Sequence, residues 1–134
     1  MLKQKTNVEI STEPPEGAPV ISVGEDNSVF SSLAASLAEI RKLKGIMGYI
    51  LRSNTSAIID LTEQEKIIEY AILLSQITES SNAMAKQFNL ADIESVLVEG
   101  KFVKVLCMSI CDNRIGIFME RTATHAWIIK RILL

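Results

Sequence analysis

A chain of 134 residues, 48% hydrophobic and 22% charged, is long enough to bury a core as one domain and far from the composition of a disordered segment. Its formal net charge of −2 creates no global field for nucleic acid or an anionic membrane, and its longest unbroken apolar run, Tyr70 to Leu74, is too short to cross a bilayer. Two cysteines make no disulfide framework, and the N-terminus has no apolar stretch of the kind a secretory leader needs, so a reducing, cytoplasmic location is expected.

Residues 1–26 are polar and hold all three prolines, Pro14, Pro15 and Pro19, which predicts a flexible tail, with Val20, Ile21 and Val23 offering at most a short edge strand. Residues 27–134 form the expected domain. Asp26 or Asn27 can cap a first helix, in which Val29, Phe30, Leu33, Leu37, Ile40 and Leu43 recur close to every 3.6 residues. Arg41, Lys42 and Lys44 crowd its end, and Gly45 suits the C′ position. Ile46 to Leu51 reads as a strand, with Gly48 marking a bulge or a close backbone approach. Ser53, Asn54 and Thr55 turn the chain, and Ala57 to Leu61 returns it as a second strand.

The longest periodic stretch, Thr62 to Phe88, follows at once. Thr62 and Glu65 have the spacing of a capping box. On a helical wheel Ile67, Tyr70, Ala71, Leu74, Ile77, Thr78, Ser81, Met84, Ala85 and Phe88 share one broad face, whereas Ile68 and Ile72 fall outside it, beside Ser75 and Glu79. A helix in a small monomer needs one buried stripe, so the second patch points to a further contact. Asn89 suits the C′ position. Three strands are expected next, at Ile93 to Val98, Phe102 to Ile110 and Arg114 to Glu120, with turns at 99–101 and 111–113, and a short helix around Trp127, Ile128, Ile132 and Leu133 closes the chain.

The fold class is therefore α+β: a five-stranded antiparallel sheet with one long central helix and shorter flanking helices, in the order α-β-β-α-β-β-β-α, a profilin-like three-layer sandwich. The strands are apolar on both faces, so both faces should be covered.

Few residues could run a reaction. Cys107 and Cys111 lack the two further ligands a metal needs, and a buried structural thiol is the simpler role for Cys107. His125, the one histidine, could serve a Cys–His nucleophile pair only if the fold brought it to Cys107 or Cys111. No phosphate loop occurs, because Gly45-x-x-Gly48 leads into a strand. Arg41, Lys42, Lys44 and Arg52 carry no interleaved aromatics for base stacking, so no nucleic acid is expected. The absence of clustered polar groups favours action through surfaces over action through a pocket. A small-ligand sensor remains the alternative, with a pocket between the long helix and the sheet lined by Tyr49, Cys107 and Trp127.

The stretch Leu37 to Leu51, LAEIRKLKGIMGYIL, resembles the leading helix and first strand of the roadblock (dynein light chain) family, where a helix runs into G-[VI]-x-G-[AS]-x-[LV]. Gly45, Ile46 and Gly48 match, and Tyr49 replaces the usual small residue. The element order from about residue 28 to 133 is also similar. The departures are the first turn, which has Ser53-Asn54-Thr55 where the family usually has Asp-Gly, and the short, apolar second strand. The resemblance implies a non-catalytic homodimer, and no residue cluster in the sequence calls for a cofactor or a bound metal. The strand after the long helix would pair with its copy, and the long helices would pack together. Ile68, Ile72, Ser75 and Glu79 would then lie at the helix seam, and Ile93, Ser95, Val96 and Val98 at the strand seam. It also implies a scaffold on motor or membrane-signalling complexes, or a partner among the small Ras-like GTPases, without insertion into the membrane itself.

Overall fold

The computed structural model describes residues 7–8, 10–11 and 28–133. The tail expected at 1–26, its edge strand at Val20 to Val23 and the cap at Asp26 or Asn27 lie outside the described residues, apart from a short antiparallel pairing of Asn7–Val8 with Ile10–Ser11.

Helix α1 (Ser28–Ile40) leads into strands β1 (Ile46–Arg52) and β2 (Ala57–Leu61), then the long helix α2 (Ile67–Phe88). Strands β3 (Ser95–Glu99), β4 (Val103–Ile110) and β5 (Asn113–Glu120) follow, and α3 (His125–Leu133) closes the chain. The sheet runs β2-β1-β5-β4-β3, all antiparallel, so β2 and β3 are its edges. The class and element order are those expected from the sequence.

Each face of the sheet has its own apolar core. Phe30, Leu33, Leu37 and Ile40 of α1 and Ile128 of α3 pack on Tyr49, Leu51, Leu106, Met108, Ile115, Ile117 and Met119. Tyr70 and Leu74 of α2 pack on the other face, against Ile50, Leu61, Val105, Cys107 and Phe118. Tyr70 stacks on Phe118 with ring centroids 4.4 Å apart. The alternation of strand side chains sorts one sequence into two cores, giving an α/β/α sandwich.

Gly48 sets which β1 residue faces which core. The register of β1 on β5 shifts between Ile46 and Gly48, so Ile46 and Tyr49 reach the same core although they stand an odd number of positions apart. Gly48 has φ +151°, and a Cβ there would lie 2.2 Å from the carbonyl oxygen of Asp60.

Several local expectations need correction. Helix α1 ends at Ile40 and leaves through turns at Arg41 to Leu43, so Gly45 (φ +87°) is not its C′ residue; its carbonyl instead accepts the Glu120 N–H at 2.7 Å. The capping box does not form. A 3₁₀ turn, Gln64–Lys66, precedes α2 without a side-chain cap, and the Thr62 hydroxyl accepts from Arg41 Nη2 at 2.7 Å. Arg41 also donates to Asp60 Oδ1 and the Ile46 carbonyl, so a charged donor that ties α1 to β1 and β2 takes Thr62 from the helix end. Met84 and Phe88, expected in the core, are exposed, because the buried set of α2 ends at Ala85. Asn89 ends the helix in the left-handed region, as its position suggested. Ser53 closes the first turn, its Oγ accepting the N–H groups of Thr55 and Ser56, which replaces the missing Asp-Gly.

Candidate functional site

The three chemistries weighed from the sequence meet the geometry differently. Cys107 points to the α2 core, whereas His125 begins α3 on the opposite face, so no Cys107–His125 pair exists. Cys111 sits in the turn at the far end of β4 from Lys104, the residue that His125 touches. Burial pushes the Cys107 thiol up to about 12, which leaves it protonated and a poor nucleophile. The same cause raises the Tyr70 hydroxyl. Both groups hold their protons more tightly in the folded chain than in the unfolded one. Cys107 therefore leaves stability unchanged below about pH 9 and removes it as pH rises toward about 12, at up to about 1.4 kcal/mol per pH unit, and Tyr70 acts in the same direction. Melts across the alkaline range should show a decline that Cys107→Ala makes shallower. A thiol reagent should label exposed Cys111 in the native protein and reach Cys107 only on unfolding.

Nor do Tyr49, Cys107 and Trp127 line one pocket. Tyr49 lies in the α1/α3 core, Cys107 in the α2 core, and Trp127 is exposed on α3. A groove does run between α2 and the start of β3, lined by Thr78, Ser81, Asn82, Ile93, Ser95 and Val96 among others, but its cavity volume of ≈ 20 Å³ has room for about one water. The Thr78 and Ser81 hydroxyls both donate to carbonyls of their own helix, at 2.9 and 2.7 Å, and are not aimed at a guest. Among the described residues no group of His, Cys, Asp or Glu could hold a metal ion.

What remains is surface. On α2, Ile68 is 75% exposed and Ile72 54%, with Ser75 half-buried and Glu79 exposed. The four lie at steps of four, three and four residues, the spacing of a helix–helix seam. Thr78 and Asn82, neighbours of this row, border the groove to β3, so that flank of α2 turns toward the β3 edge. Strand β3 begins at Ser95, two residues later than the sequence suggested. Ile93 therefore lies half-buried in the preceding loop, after Ala91 at φ +61°. Ser95 is exposed, Val96 half-buried against the α2 core, and Val98 40% exposed on the same side of the sheet. Among the described residues no strand pairs with the outer side of β3, and its one charge, Glu99, stands at its end, so no charged side chain along it blocks further pairing. Open backbone groups of β3 thus border this groove, and the exposed apolar row lies on the same flank of α2.

No family model and no curated protein sequence matches the chain. Solved structures do. A Roadblock/LC7 domain from Streptomyces avermitilis is similar over 82% of this chain and 90% of its own length, with TM-score 0.60 and 13% identity. The gliding protein MglB from Thermus thermophilus is similar over 80% of this chain and 84% of its own, with TM-score 0.61 and 12% identity. A structure of MglB described as having a tetrameric arrangement matches equally well. At these identities the likeness establishes the fold, and the chain has the roadblock fold.

Proposed function

We propose that this roadblock-fold chain is a non-catalytic regulatory or scaffold module that works as a homodimer. The observation that carries the reading is that, among the described residues, no strand pairs with the outer side of β3, while the α2 flank turned toward it exposes Ile68 and Ile72, on a domain whose thiols and histidine are kept apart. Two copies related by a two-fold axis would join β3 to β3′ and give one ten-stranded sheet. They would also set the α2 helices together on one face and cover Ile68, Ile72 and Val98. Self-association is supported by the tetrameric arrangement named for an MglB structure of the same fold. The partner proposed for the dimer is a small Ras-like GTPase or a motor or signalling complex, the class that the roadblock resemblance implies, in the cytoplasm. Among the described residues no helix is long and apolar enough to cross a membrane.

Sedimentation velocity at micromolar concentration should show twice the chain mass of 14.8 kDa, and a clean monomer would overturn the dimer. A small GTPase retained from native extract by the wild-type chain, and released when the dimer is broken, would support the partner class.

A further inference from the structure

The net charge of −2 conceals a separation of charge. From Thr62 to Glu94 the chain carries six carboxylates, Glu63, Glu65, Glu69, Glu79, Asp92 and Glu94, against Lys66 and Lys86. From Arg121 to Leu134 it carries Arg121, Lys130 and Arg131 and no acidic side chain. The fold places α2 and α3 on opposite faces of the sheet, so the acidic and basic stretches lie apart.

The basic end is also held together. Lys104, 4% exposed, donates from Nζ to Nδ1 of His125 at 3.1 Å, which pins the start of α3 to the start of β4. The Arg121 N–H donates to the Phe102 carbonyl at 3.1 Å, which brings the end of β5 to the β3–β4 turn. Two aromatic rings project from this end into solvent, Phe102 at 74% exposure and Trp127 at 45%. Each carries a cation over it, Lys101 Nζ 5.5 Å from the Phe102 centroid and the Arg131 guanidinium 5.6 Å from that of Trp127. Lys101, Arg121, Lys130 and Arg131 are all exposed, with only Glu99 and Glu120 among the acids of these strand ends. Neither ring belongs to either apolar core, and exposed rings of this size are costly in water.

We propose that the β3–β4 turn and α3 form a docking face for an anionic lipid surface. Four exposed cations meet the headgroups while Phe102 and Trp127 seat at the headgroup level, as basic and aromatic residues do at membrane interfaces. A flat anionic surface suits the face better than an acidic protein, because its rings stand out from the fold and enclose no pocket. This is peripheral adsorption and buries no helix in the bilayer. If the chain also dimerises through β3 as proposed above, both basic faces lie on the side of the joined sheet away from α2, and one dimer engages the surface twice.

The test uses the full chain with vesicles of phosphatidylcholine alone or mixed with phosphatidylserine. Trp127 is the only tryptophan, so its emission reports the face directly. The expected result is pelleting with the phosphatidylserine vesicles alone, a blue shift of Trp127, and release by salt. Lys130→Glu with Arg131→Glu should cut vesicle partitioning by about tenfold or more, and Phe102→Ala should abolish part of the remainder, with unchanged melting because all three residues are exposed. No phosphatidylserine-dependent pelleting, an unshifted Trp127, or wild-type binding by the charge-reversed variant would overturn the proposal, as would capture of a polyglutamate peptide without vesicle binding. Ile72→Glu separates the two readings. A weaker but still phosphatidylserine-dependent monomer supports both, whereas partitioning equal to wild type sinks the bivalent arrangement and leaves the lipid face standing.

Discussion

Replacing Gly48 with alanine is expected to cost about 3–5 kcal/mol of folding stability and to lower the melting temperature by about 10 °C or more, because the substitution combines backbone strain with overpacking. A Cβ at this position would come within 2.2 Å of the Asp60 carbonyl oxygen and 2.6 Å of the Leu61 Cα. Both are backbone atoms of β2, so relief requires moving a strand and not a rotamer. The φ of +151° adds strain for any L side chain. The loss is large beside the total stability of about 5–15 kcal/mol typical of such domains. Gly116→Ala provides the contrast. There the nearest atom, at 2.8 Å, is Leu74 Cδ1, the far end of a flexible side chain, so the cost should be about 1–2 kcal/mol. Thermal and urea melts of the two variants side by side would check the ranking. Equal losses would show that the bulge is not the rigid point of the sheet.

Ile72→Glu is expected to raise the dimer dissociation constant by about a thousandfold while leaving the monomer intact. Ile72 is 54% exposed and belongs to neither apolar core, so its loss should alter monomer stability by only about 0.5 kcal/mol. In a two-fold interface every substitution occurs twice, and burying two carboxylates in an apolar seam costs about 2 kcal/mol or more for each. Light scattering against concentration would show the variant as a monomer where the wild type is a dimer. A variant that stays dimeric with wild-type affinity would place the seam elsewhere, and the exposed Met84, Phe88 and Leu90 at the other end of α2 would be the next positions to alter.

Much of the fold is legible in the sequence because its signals are local. The recurrence of Phe30, Leu33, Leu37 and Ile40 and the long period of α2 give helices wherever the chain goes. The Cys111–Asp112 turn, with both φ values positive, joins β4 to β5 by the tight hairpin that the sequence suggests around 111–113. Local reading fails where a distant residue competes for a local partner. Thr62 pairs with Arg41, 21 residues away, and so does not cap its own helix. Nothing near Lys104 in the sequence signals its role. It shares strand parity with Leu106 and Met108 and so is carried toward the α1/α3 side, where His125 receives it.

At the candidate surface, helical periodicity is a property of neighbouring residues, and it alone sets Ile68 and Ile72 off the main apolar face of α2. Their exposure is a different matter. So are the edge position of the strand after α2, the placing of Cys107 and His125 on opposite faces, and the separation of the basic C-terminal stretch from the acidic one. The edge follows from the strand order β2-β1-β5-β4-β3, and the rest from the packing of α2 and α3 on opposite faces of that sheet. That order is set by pairings and packing between residues far apart along the chain, which no local pattern encodes.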